Sequence, residues 1–174
     1  MKPINRFVSS SGFFWVLLSS FLALAACNKN NAQSTSQKEN NKSAEANLPV
    51  IEFRRTPCFG ACPIYNAQIT RDGNITYEGI NFVTKTGKFT AKTDVVLVED
   101  LLSRADNINF WQLDSLYATG ATDFPSQVLT IRKDGKKKTI SSEGEGPAEL
   151  QNLMRSVDEV IMEALRNDAV PVKE

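Results

Sequence analysis

The 174-residue chain contains no histidine. That absence removes Ser-His-Asp and Cys-His nucleophilic sites, histidine acid-base chemistry and His-containing zinc sites together. Glycine-rich phosphate cradles are missing as well. Neither a Walker pattern nor G-x-G-x-x-G occurs, and the "EGEG" of residues 143–146 is too acidic to hold phosphate. Charge of one sign is not in excess either, since 20 basic residues face 20 acidic ones, whereas a nucleic-acid binder needs a basic face. No nucleic-acid partner, cofactor or metal is expected. Carboxylates remain, and Asp72, Glu78, Asp123, Glu143 and Glu145 could in principle pair as a glycosidase does; turn and surface roles explain most of them. The longest apolar run, Phe13 to Ala26, falls short of the roughly 20 residues that span a bilayer.

What is present begins with targeting. Lys2 and Arg6 make a short basic region, the apolar run follows, and small residues lead to Cys27, which is the three-part build of a secretory signal over residues 1–26. Within "LALAAC", Leu24-Ala25-Ala26-Cys27 resembles the lipobox of bacterial lipoproteins, in which the cysteine is acylated with chains such as palmitate and becomes the mature N-terminus. The alternative is an ordinary signal peptide cut near Ala26. Buried acyl methylenes contribute about 0.8 kcal/mol each, so a multiply acylated Cys27 is a firm anchor. The expected location is the cell envelope, lipid-anchored to a bacterial membrane, the outer one foremost. Removal of the signal leaves 18 basic against 20 acidic residues, a formal charge of −2.

Residues 27–47 carry no large apolar side chain and are rich in Asn, Ser, Gln and Lys, so they read as a disordered tether. A random coil of that length holds its domain about 25 Å from the anchor. The folding part is placed at 48–168, with a tail over 169–174.

From Leu48 onward short alternating runs are punctuated by turns. "IEFRR" reads as a strand, "YNAQITRDGNITYEG" as a hairpin turning at Asp72-Gly73, and Gly87 to Lys92 as a further strand. Between Thr93 and Asn107 the period becomes helical: Val98, Leu101, Leu102 and Ala105 share a face, and Thr93 or Asp94 can cap the start. Phe110, Trp111, Leu113, Leu116 and Tyr117 are expected to plug the core beneath the sheet. "PSQVLTIRKDGKKKTISS" is a second hairpin, and its Asp-Gly turn echoes the first. A closing helix has Pro147 in its first turn and the stripe Leu150, Leu153, Met154, Val157, Ile161 and Leu165. The predicted class is α+β, an antiparallel sheet of hairpins packed on two helices in the order β-ββ-β-α-ββ-α.

Two cysteines remain if Cys27 is lipidated. Cys58 and Cys62 form an even pair in an exported chain, where oxidising conditions favour a disulfide. Gly60 between them lets the chain curl to the Cα separation of about 5.5 Å that a disulfide needs. The stabilisation is about 2 kcal/mol for so small a loop. Two other uses stay open. A thioredoxin-like redox centre wants two intervening residues and a helix N-terminus, but here three intervene and Pro63-Ile64-Tyr65 leads into a strand. Cys-x-x-x-Cys-Pro also resembles the motif of Sco-type copper chaperones, which complete their site with a distal histidine. The loop "ATGATDFPSQ" is a second candidate: Thr122 and Asp123 could bind a ligand, or Asp123 could cap its own backbone.

"TPCFGACPIY", "RDGNITYEG" and "TDFPS" ahead of the second hairpin together resemble a family of exported bacterial proteins, many of them lipoproteins. That family is carried as a domain of unknown function with a Cys-Phe-Gly-x-Cys-Pro-x-Tyr signature. The resemblance covers about residues 50–165 and implies fold and export, with no activity attached. Some members carry a His/Cys-containing stretch after the second hairpin, where this chain has "SSEGEGPAE". The resulting expectation is a lipid-anchored, non-enzymatic binding or structural module with an envelope protein as partner. An envelope thiol-disulfide protein using Cys58 and Cys62, or an inhibitor of a hydrolase, are the alternatives.

Overall fold

The structure, a computed structural model, describes residues 48–121 and 123–173. The expected signal, Cys27, the expected tether and Thr122 lie outside the described residues. Period-2 alternation makes the strands: β1 (Pro49–Arg55), β2 (Ile64–Thr70), β3 (Asn74–Asn81) and β4 (Gly87–Lys92). After α1 (Val95–Asn107) come β5 (Leu116–Tyr117), β6 (Gln127–Lys133) and β7 (Lys136–Ser142), then α2 (Ala148–Asp168) and β8 (Val170–Pro171). The strands join in one sheet in the order β5-β7-β6-β1-β2-β3-β4-β8. All neighbours are antiparallel except β5 and β7. The class is α+β as predicted, with two-residue strands β5 and β8 added at the sheet edges.

Alternate residues of β2 and β3, and a set from the other long strands, enter the core. Ile51 and Phe53 of β1 face Ile69 and Ala67 of β2 on one side and Ile131 and Leu129 of β6 on the other. Tyr65, Ile75, Tyr77 and Ile140 complete that buried face. Both helices lay their apolar stripes on it: Val98, Leu101, Leu102 and Ala105 from α1, and Leu150, Leu153, Met154, Val157, Ile161, Ala164 and Leu165 from α2. Truncating any of these leucines to alanine removes about 2–5 kcal/mol of stability. Among the described residues the buried core runs from Val50 to Leu165. No helix among the described residues is long and apolar enough to cross a membrane.

Asp94 is the cap of α1, accepting a hydrogen bond from the Val96 N–H at 2.9 Å. The two hairpins use different turns despite their shared Asp-Gly. Asp134 and Gly135 both have positive φ, 51° and 73°, which makes a two-residue turn whose twist matches the flanking strands. Between β2 and β3 the loop is one residue longer, and only Gly73 is left-handed, at φ 84°. Gly73 also receives the N–H of Thr93 on its carbonyl, and a Cβ there would stand 2.3 Å from the Thr93 carbonyl oxygen. Glycine thus docks this hairpin against the start of α1.

One core expectation fails. Phe110 is fully buried, and Trp111, Leu113 and Tyr117 pack against the core, but Leu116 is 64% exposed. Pairing of β5 with the end of β7 fixes it at the sheet margin, where no helix covers it.

Candidate interaction site at the disulfide pole

Where β1 ends and β2 begins, the chain makes a loop over residues 56–63. Pro57 and Pro63 fix φ at both ends, and the sulfurs of Cys58 and Cys62 lie within bonding distance with Cα atoms 5.8 Å apart. Gly60 is not needed for this closure. Its φ is not left-handed, and an added Cβ would meet only the Cys58 Sγ at 3.8 Å, an ordinary contact. The loop closes around an outward aromatic: Phe59 is 93% exposed while both cysteines are half-buried.

The neighbouring loop is stitched to it. Thr56 donates its N–H to the Ser126 carbonyl at 3.0 Å, and the Ser126 N–H donates back to the Thr56 hydroxyl at 2.8 Å. Glu143 holds the other side of the 118–126 loop, accepting from the N–H and hydroxyl of Thr119 at 2.7 and 2.8 Å. Asp123 is exposed on that loop beside the half-exposed Phe124. Glu143 thereby ties Thr119, near the start of this loop, to the end of β7.

On the far side, β3 carries the half-exposed Ile80 just before its last residue, Asn81, and runs into Phe82, also half-exposed. Phe82 adopts φ 53°, and its N–H donates to the Asn81 Oδ1 at 3.0 Å. A bulky residue held left-handed costs about 1–2 kcal/mol, so the surrounding chain imposes this outward pose. Loops before β6, between β1 and β2, and after β3 sit on consecutive strands. At roughly 4.8 Å per strand, Phe124, Phe59 and Phe82 span about 15 Å of one pole.

Beneath the loops is a polar clasp that the sequence reading missed. The Arg55 Nη1 donates to the Asp158 Oδ2 of α2 at 2.6 Å, and the Tyr65 hydroxyl donates to the other oxygen, Oδ1. Tyr65 is fully buried, tilted against Phe53 and Tyr77 with ring centroids 6.1 and 5.3 Å away. Burial first, and then the Asp158 charge and hydrogen bond, push the Tyr65 phenol far above its ordinary value. Burial, with Asp158 second, raises Tyr77 to about 12. Both phenols stay protonated at any physiological pH, so the clasp is a fixed brace between β1, β2 and α2, not a proton-transfer device.

Neither cysteine begins a helix, the placement a thioredoxin-like centre uses. Among the described residues no three His, Cys, Asp or Glu side chains are placed to hold a metal ion, and Met154 is buried. Asp72 of the carboxylate set sits in the β2–β3 turn at the opposite pole, held by Thr70 and Asn74.

The described residues thus form a two-layer α+β domain with both helices on one sheet face and a cysteine pair closing a loop at one pole. The chain belongs to the family described as Domain of unknown function (DUF6438), whose sequence profile matches residues 49–161. No curated protein matches the chain.

Proposed function

We propose that this is a lipid-anchored envelope protein, without enzymatic activity, that binds a protein partner through its disulfide pole. The anchor rests on the signal and the Leu24-Ala25-Ala26-Cys27 pattern, and replacement of Cys27 by alanine is expected to release the protein from membranes. Continued membrane association of that variant would refute it.

The binding role rests on Phe59, held almost wholly exposed on a covalently closed turn. Exposing a large aromatic is unfavourable in isolation, and pre-ordering it lowers the entropic cost of engaging a partner. Phe82 in its strained outward pose and Phe124 on the stitched loop extend the same surface. Aromatic residues at the centre of an interface carry a disproportionate share of binding energy, which suits a small patch with few other anchors. The test is a photo-reactive amino acid at position 59 in cells. A discrete adduct with another envelope protein is expected, and its absence would overturn the reading. The thiol-disulfide alternative predicts instead that Cys58→Ser abolishes thiol exchange with a substrate protein.

A further inference from the structure

The pole opposite the disulfide carries a second surface. There β1 starts at Pro49, the β2–β3 and β6–β7 hairpins turn, and a depression of about 560 Å³ opens, lined among others by Leu48, Pro49, Val50, Arg71, Lys136 and Lys137. The end of the β6–β7 hairpin pairs like with like: Arg132 stands opposite Lys137, and Lys133 opposite Lys136. Facing cations destabilise a strand pair. Acidic neighbours offset part of this, because Glu52 pairs with Arg132 at 2.6 Å, Asp106 with Lys133, and Glu99 with Arg71 at 3.0 Å. Asp134 lies in the turn itself. Lys136 and Lys137 make no direct ion pair among the described residues, and although Lys136 also acts on the Asp106 charge and Asp134 lies between the strands, both ammonium groups stay exposed at this end.

We infer that this pole docks on the anionic headgroups of the bilayer that holds the anchor. The inference rests on the lipid-anchor reading and adds an orientation to it. Chain geometry places the surface correctly: the 20 residues 28–47 connect Cys27 to Leu48, which borders the depression and is more than half exposed. A lysine near an anionic membrane gains about fivefold in partitioning, and a short tether keeps the effective concentration high enough for two such contacts to matter. Seven-residue strands then hold Phe59, Phe82 and Phe124 roughly 23 Å further from the membrane, facing outward. The same contact makes the aromatic pole available and keeps the basic pole occupied.

The test uses the chain from Cys27 to Glu174 with Cys58 and Cys62 oxidised, coupled through the Cys27 thiol to a maleimide lipid. The chemical anchor makes the result independent of whether cells acylate Cys27. Trp111 is the one tryptophan left after removal of the signal and lies beside this hairpin, where Lys138 donates to its carbonyl at 3.1 Å. Energy transfer from Trp111 to a dansyl lipid should be stronger on vesicles with about one-third phosphatidylglycerol than on pure phosphatidylcholine, and should fall to the neutral level in about 0.5 M NaCl. Lys136→Gln with Lys137→Gln should weaken docking roughly 30-fold, while Lys173→Gln at the chain end leaves it unchanged. Equal transfer on both vesicle types, or transfer indifferent to the paired lysine changes, would overturn the inference; the first result is also what a patch built for an acidic protein would give.

Discussion

Replacing Asp158 by alanine removes both arms of the clasp at once. Arg55 and Asp158 side chains are 28% and 20% exposed, so water reaches the pair and its loss costs less than the 3–5 kcal/mol of a fully buried one. The Tyr65 hydroxyl is the more serious casualty. It is sealed beneath the sheet, and a buried donor without an acceptor costs about 1–3 kcal/mol. Together the loss should be about 3 kcal/mol. Asp158→Asn keeps an acceptor for Tyr65 while dropping the charge that Arg55 meets, and should cost about 1 kcal/mol; Tyr65→Phe removes the donor and leaves the ion pair, costing about 1–2 kcal/mol. In the double variant Tyr65→Phe with Asp158→Ala, most of the phenylalanine penalty should vanish, because the hydroxyl no longer needs a partner. Urea unfolding reads all four, as a fall in midpoint at constant slope. A loss below about 0.5 kcal/mol for Asp158→Ala, or strict additivity in the double variant, would refute the clasp as a brace between α2 and the sheet.

Changing both Cys58 and Cys62 to serine should cost about 2 kcal/mol in urea unfolding, and alkylation of native protein followed by mass spectrometry should find neither thiol free. Gly60→Ala should be neutral within about 0.5 kcal/mol, whereas Gly73→Ala should cost more than about 2 kcal/mol through its left-handed φ and the clash with the Thr93 carbonyl; thermal melts of the two variants decide it. Alkaline titration should unfold the protein. Tyr77 holds its proton to about 12 and Tyr65 beyond, so their contribution is intact below the unfolded-chain value of about 10 and is lost as pH rises through the folded values; phenolate absorbance and far-UV dichroism should change together above that point.

Local patterns carried most of the fold. The α1 face of Val98, Leu101, Leu102 and Ala105 is buried as its spacing implies, and the β4 bounds Gly87–Lys92 follow directly from alternation and flanking turns. Failures arise where distant chain decides. Leu116 reads as core by composition, yet a two-residue pairing with β7 leaves it outside. Gly60 reads as a closure residue because glycine usually serves there, yet its φ is not left-handed and the position does not need glycine. The clasp joins residues 93 and 103 positions apart, beyond any periodicity. A signal for it was nonetheless present: Arg55 follows Ile51 and Phe53 on the inward face of β1, and Asp158 falls on the Met154, Ile161 and Leu165 side of α2. Two opposite charges that each break an apolar stripe imply one another, since a buried charge persists only when paired. The outward poses of Phe59, Phe82 and Phe124 had no such signal, because aromatic residues are buried far more often than displayed.

The central claim is that the cysteine-closed turn presents Phe59 to a protein partner. The most direct measurement compares photo-crosslinking in cells from position 59 and from Gln68 on the open sheet face, with and without the Cys58 and Cys62 changes. A discrete adduct is expected from position 59, a severalfold lower yield once the turn is opened, and none from position 68. Equal yields at the two positions, or a yield at 59 indifferent to the cysteines, would contradict it.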